Sequence, residues 1–121
     1  MKVNHFVVNV NSDQPERLIA FRRDVVGLTP NPDVGPGAFM AGSSEFIALI
    51  VEGHDGVRGT NADPNRVLLN FFVDDARAEQ RKLESAGVSF IRPAAEEEGF
   101  GIVATFADPD GNLCQLMQLF E

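Results

Sequence analysis

The chain has no tryptophan and no tyrosine, and its single cysteine, Cys114, has no second thiol to pair with. A lone cysteine excludes an internal disulfide and suits a reducing compartment. Without indole or phenol rings, a specific aromatic sandwich around a ligand loses its best components, although the ten phenylalanines leave rings that can stack on a planar molecule. Basic residues are also scarce: ten Lys and Arg stand against eighteen Asp and Glu, for a net charge of −8. Phosphate binding needs a clustered basic face, so no nucleic-acid partner is expected. An acidic balance serves solubility first and attraction of cations second. No apolar run approaches the ~20 residues that span a bilayer, so no membrane partner is expected. The first residues enter a strand-like pattern, with no basic region and apolar signal core, so the expected location is the cytoplasm. There is no Ser-His-Asp arrangement, phosphate loop or zinc motif; Gly99-Phe100-Gly101 reads as the opening of a strand.

What is present suits one compact domain: 121 residues, 44% apolar and 23% charged. Val3 to Val10 alternates as a strand. Asp13 and Glu16 flank Pro15 as in a capping box, and Leu18, Ile19, Phe21 and Val25 form a helical stripe that Gly27 closes. A Pro- and Gly-rich stretch follows, then a strand from Ala38 to Ala41, a turn at Gly42-Ser43-Ser44 and a strand from Phe46 to Val51. Glu52 to Arg66 has no period and reads as a connector.

The order then repeats. Val67 to Val73 reads as a strand, Asp74 or Asp75 as the cap of a helix carrying Ala76, Leu83 and Ala86, and Gly87 as its end. Val88 to Ile91 is a short strand and Pro93 to Gly99 an acidic loop. Gly101 to Phe106 and Leu113 to Leu119 flank Asp108-Pro109-Asp110-Gly111-Asn112, whose residues are those of a tight turn, so the chain closes with a hairpin. This order predicts an α+β fold of two βαβββ modules, about 1–55 and 65–121, each a curved mixed sheet with a helix on its outer face. Parity turns Phe6, Val8, Val10, Leu69, Phe71 and Val73 toward the helices. His5, Val7, Asn9, Leu68, Asn70 and Phe72 then face the other way, joined by Gln115 and Met117 from the last strand, while Cys114 faces a helix.

Two βαβββ halves, a His in the first strand and the terminal segment FADPDGNLCQLMQL resemble the vicinal oxygen chelate superfamily. That group includes glyoxalase I, extradiol dioxygenases, fosfomycin-resistance enzymes and bleomycin-binding proteins. The resemblance covers essentially the whole chain. It implies sheets that curl around a ligand cleft, a homodimer, and, in the metalloenzyme members, four cleft-facing side chains holding a divalent metal. Carried over position by position, those four fall on His5, Ala48, Leu68 and Gln115. Ala48 and Leu68 have no donor atoms, nor do their neighbours Ile47, Leu49, Val67 and Leu69. His5 and Gln115 alone offer a weak site, so no metal cofactor is expected; Zn, Ni, Mn or Fe is the alternative.

Three functions follow from these readings. The first is a metal-free protein that binds an amphipathic or cationic small molecule, such as an antibiotic. Its candidate ligand-binding residues are His5, Val7, Asn9, Phe39, Ala48, Leu68, Asn70, Phe72, Phe100, Gln115 and Met117, a mostly apolar set with a few polar points. The second is a metal-dependent, glyoxalase-like lyase, an isomerase or a dioxygenase using His5, as acid-base group or as ligand anchor. The third is a module whose dimer surface is its function. Glu96-Glu97-Glu98 reads as solvated surface or as an attractor of cations, and Glu45 and the loop residues His54 and Asp55 as solvated groups.

Overall fold

Among the described residues, two α-helices and eight strands build the same arrangement twice. The computed structural model describes residues 1–40 and 46–120, and the chain divides into two compact units, Met1–Gly59 and Thr60–Glu121. The first unit runs β1 (Val8–Ser12), α1 (Pro15–Ala20) with a π-helical continuation over Phe21–Val26, β2 (Thr29–Asn31), β3 (Gly35–Met40) and β4 (Ile47–Gly53). The second runs β5 (Leu68–Phe72), α2 (Ala76–Ser85), β6 (Phe90–Glu97), β7 (Gly101–Ala107) and β8 (Leu113–Leu119). The sheets are ordered β1-β4-β3-β2 and β5-β8-β7-β6. In each, the first strand pairs parallel to the last and the other neighbours are antiparallel. The fold is therefore α+β with two mixed sheets in βαβββ order, as the sequence predicts.

Each sheet turns one apolar face to its helix. In the first unit Leu18 of α1 packs with Phe39, Leu49 and Val51, and Val8, Val10, Ile19 and Leu28 close around them. Burying side chains of this size stabilises by about 1.5–3 kcal/mol each. Val8 lies opposite Leu49 and Val10 opposite Val51, which puts all four on the helix side. In the second unit Ala76 and Leu83 of α2 are buried with Ala104, Phe106, Cys114 and Leu116. The register pairs Ala104 with Leu116 and Phe106 with Cys114. Asp75 caps α2 by accepting the Ala78 N–H, and the Gln118 side chain accepts the Ala76 N–H at 2.9 Å. Both helices end where expected, with Gly27 at φ +86° and Gly87 at φ +94°.

Four expectations need correction. The first strand starts at Val8, not Val3, so His5 and Val7 precede it, and Phe6 is 78% exposed and not helix-facing. Pairing decides this, because β4 begins only at Ile47, and Leu49 is the partner of Val8. Asp13 does not cap α1; it accepts the Gly59 N–H at 2.8 Å, while Gln14 holds the cap position and Pro15 opens the helix. Pro93 to Glu97 is not a loop but the end of β6, an edge strand. The edge tolerates a proline with no N–H to give, and register shifts on either side of Arg92 absorb the irregularity. Gln80 of α2 meets the freed Ala94 N–H at 2.7 Å. Finally, Phe39 is fully buried in the first core and does not line an open face. The turn expected at Gly42-Ser43-Ser44 and the residue Glu45 lie outside the described residues.

Candidate functional site

The face of each sheet turned away from its helix is exposed mainly along its outer strands; in the second sheet Val103 and Thr105 of the central strand are buried, at 4% and 7% exposure. In the first unit, the register places Asn9 beside Ile50 and Asn11 beside Glu52, with Ala48 exposed two residues before Ile50. The Asn9 amide donates to the Glu52 carboxylate. His5 stands in the segment before β1, where Nε2 lies 2.7 Å from the Ile47 carbonyl and the ring meets Phe46 edge-on at 5.0 Å. A carbonyl only accepts, so Nε2 carries the proton and a neutral ring has its lone pair on Nδ1. Val7 is half-buried beside it.

In the second unit Leu68, Asn70 and Phe72 of β5 are exposed, and Asn70 lies opposite Gln115 and Phe72 opposite Met117. Gln115 and Met117 in turn oppose Thr105 and Val103. The Gln115 amide donates to the Thr105 hydroxyl at 3.2 Å. At one end of this face a surface groove of about 590 Å³ is lined by Phe72, Val73, Asp74, Met117, Gln118, Leu119 and Phe120. Phe72 is 62% exposed and Leu119 54%, so this is a large apolar surface left uncovered. Phe100 is half-buried in the β6–β7 turn, where its carbonyl accepts the Phe120 N–H at 3.0 Å.

Of the residues expected to bind a ligand, Asn9 and Ala48 thus share the open face of the first sheet. Leu68, Asn70, Phe72, Gln115 and Met117 share that of the second. Phe39 belongs to the core, and His5, Val7 and Phe100 sit in segments flanking the strands. The acidic run divides: Glu97 pairs with Arg92 on the open side, Glu96 lies opposite Ile102, and Glu98 is in the turn. Sequence reasoning missed Thr105 and Arg92. Thr105 was within reach, because a turn spanning Asp108 to Asn112 sets it opposite Gln115.

The donor chemistry can be tested against a divalent metal. The four positions carry one imidazole, whose Nε2 is engaged by a carbonyl, one amide engaged by a hydroxyl, and two hydrocarbon side chains. Among the described residues no group of three or more His, Cys, Asp and Glu is placed to hold a metal ion. His54 Nδ1 accepts the Gly56 N–H at 2.9 Å, which makes it part of its own loop. Cys114 is buried against Phe106 and has the surroundings of a packing residue. At the positions that the resemblance assigns to a metal, the described side chains thus offer one imidazole and one amide.

The family model described as the Glyoxalase/Bleomycin resistance protein/Dioxygenase superfamily matches residues 2–116. The chain belongs to that superfamily. TnmS3, an antibiotic-binding protein from Streptomyces sp. CB03234, superposes with a TM-score of 0.67 at 24% identity, covering 99% of each chain. The hypothetical protein SA1046 of S. aureus gives a TM-score of 0.74 at 17% identity over 98% of this chain and 95% of its own. Both are likenesses of fold. CFP32 of Mycobacterium tuberculosis, described as a candidate glyoxylase, is 30% identical over 112 residues, 88% of this chain and 41% of its own length. The chain spans less than half the length of the curated relatives it matches, 48% and 41%. No helix among the described residues is long and apolar enough to cross a membrane.

Proposed function

We propose that this chain is a metal-free binding protein, taking an amphipathic small molecule such as an antibiotic on the open face of its second sheet. The observation that carries the reading is the pairing of missing donors with a large open surface. By the resemblance Ala48 and Leu68 fall on metal-ligand positions and bring no donor atoms, while exposed Phe72 and Leu119 and half-buried Met117 line a groove. An apolar surface with few polar points suits an organic ligand better than an ion. TnmS3, an antibiotic-binding protein of the same fold, supports the same class of ligand. The cationic form of this reading rests on the acidic run, and Arg92 neutralises its central member, Glu97. That favours the amphipathic form. A homodimer in the cytoplasm belongs to the same proposal, with light scattering as the check on the dimer.

Two measurements test the reading. Elemental analysis of protein purified without chelator should show far less than one metal per chain. The uncharged probe N-phenyl-1-naphthylamine should bind saturably, and Phe72→Asp should abolish that binding. Phe72 is 62% exposed, so this variant should fold normally by circular dichroism. Retained binding in Phe72→Asp would overturn the placement of the site.

A second reading, a glyoxalase-like lyase or a dioxygenase using His5, is favoured by the description of CFP32. One tightly held Zn, Ni, Mn or Fe per chain in the same elemental analysis would establish it over the first.

A further inference from the structure

The register of the second sheet lines up four polar side chains in one row across all its strands. Asn70 of β5 lies opposite Gln115 of β8, Gln115 opposite Thr105 of β7, and Thr105 opposite Arg92 of β6. Side chains directly opposite one another project from the same face. The ion pair of Arg92 with Glu97 agrees, because Glu97 opposes Gly101, which is in phase with Val103 and Thr105. Three interstrand spacings make this row about 14 Å long. Apolar side chains flank it: Phe72, Met117 and Val103 on one side, Leu68 and Leu113 on the other.

The row has a direction. Gln115 donates to Thr105, which is only 7% exposed, so half-buried Gln115 Oε1 is the acceptor left for a ligand. Arg92 adds a fixed positive charge at the far end. It is 46% exposed and Glu97 41%, and an ion pair this open to solvent holds weakly and yields to a competing anion. At the other end the Asn70 amide is exposed and offers both a donor and an acceptor.

Resting on the reading of this face as the binding surface, we infer that its ligand is a flat amphipathic molecule bearing an anionic oxygen group, a carboxylate or sulfonate, that displaces Glu97 from Arg92. A donor on the same molecule meets Gln115 Oε1, and its rings lie on Phe72 and Met117. Arg92 is then the specificity-determining residue, selecting anionic over neutral and cationic ligands of the same shape.

The test compares two probes that differ in one group. 1-Anilinonaphthalene-8-sulfonate carries an N–H and a sulfonate on fused rings, and N-phenyl-1-naphthylamine lacks only the sulfonate. Fluorescence titration should show the sulfonate binding about tenfold more tightly, as a charge-assisted contact to Arg allows. Arg92→Gln should erase that preference, and Glu97→Gln, which frees Arg92, should strengthen it. A merely structural ion pair would move both variants the same way, so opposite signs are the signature. At saturation the side-chain amide resonances of Asn70 and Gln115 should shift. If the two probes bind alike, or Arg92→Gln and Glu97→Gln change affinity in the same direction or not at all, the anionic ligand is overturned. Loss of both probes in Phe72→Asp would then leave the open-face reading standing. If Phe72→Asp leaves both probes bound, both inferences fall.

Discussion

Replacing Asp108 with alanine should unfold this protein more readily than any surface charge substitution, and the structure says why. Asp108 is 5% exposed, and one of its carboxylate oxygens accepts the N–H groups of Asp110 and Asn112, each at 2.9 Å. The other accepts the Asn112 side-chain amide at 2.9 Å. These bonds hold the turn in which Gly111 takes φ +79° and the Asp110 carbonyl receives the Asn61 N–H at 2.7 Å. A hydrogen bond to a charged group is worth about 1.5–3 kcal/mol, and stranding buried N–H groups adds to the loss. Because the three bonds share one side chain they do not sum, and about 4 kcal/mol is expected for Asp108→Ala. For a domain of this size that lowers the melting temperature by about 12–20 °C. Asp108→Asn is the informative companion. It keeps one oxygen for both backbone N–H groups but sets an amide against the Asn112 amide, donor to donor, so about 1–2 kcal/mol is expected. Urea titrations followed by far-UV circular dichroism measure both, since the chain has no Trp or Tyr to report by fluorescence. Asp108→Ala within 1 kcal/mol of the parent, an order-of-magnitude floor for a lost buried network, would refute the reasoning. So would Asp108→Asn costing as much as the alanine.

The remaining predictions concern close backbone contacts and pH. A Cβ at Gly101 would overlap the Gln118 carbonyl, and one at Gly37 would overlap the Val51 carbonyl. Gly101→Ala and Gly37→Ala should therefore each cost about 3 kcal/mol or more in chemical denaturation. Gly59→Ala, strained at φ +66° but in open space, should cost only about 1 kcal/mol. Near the end of the first helix, the hydrogen bond from Arg23 holds the Asp24 carboxyl below its ordinary value. Any stability from this exposed pair is present above the ordinary carboxylate range and lost as pH falls through the lowered value. In Arg23→Gln the NMR titration midpoint of Asp24 should rise toward the ordinary value, with no change in melting temperature; a midpoint that stays put would remove Arg23 as the cause.

How far the sequence reached depends on whether a feature is local or needs a partner. The turn around Gly111, the glycines closing both helices, and an aspartate cap for α2 at position 74 or 75 are set by residues within a few positions, and all four stand where the sequence puts them, the cap being Asp75. Parity also separates Leu69 and Phe71 from Leu68, Asn70 and Phe72, because β5 runs without interruption. Where pairing decides, the reading failed. Val3 to Val7 alternates as well as Val8 to Ser12 does, but only the latter finds β4 alongside. Phe39 sits in a short run where neighbouring Ala38 is buried too, so alternation carries no signal there, and only Leu49 across the strand shows that it is core. Composition marks Pro93 to Glu97 as loop, yet the edge of a sheet accepts charges and a proline when the adjacent strand is as buried as β7. Arg92 was hidden by the same irregularity. Counting by twos from Phe90, which opposes the helix-facing Phe106, turns Arg92 toward the helix; the register shift between them brings it opposite Thr105 instead.

That one-residue slip also separates what the two units share from what they do not. Both have the same strand order, both end their helix with a left-handed glycine, and both press a glycine of the third strand against the backbone of the fourth. These are features of packing, and they recur because either sheet must meet its helix in the same way. The faces turned away from the helices are free of that requirement and differ between the units. The first presents Asn9, Ala48, Ile50 and Glu52, with an amide and a carboxylate satisfying each other. The second, through the bulge in β6, gains an arginine at the end of a polar row whose hydrogen-bonding capacity is only partly used. An irregular edge strand costs ladder hydrogen bonds, and here Gln80 reaches from α2 to the N–H it frees. If the face of β5 to β8 binds the ligand as proposed, substitutions along that row should alter ligand preference while leaving the duplicated scaffold intact.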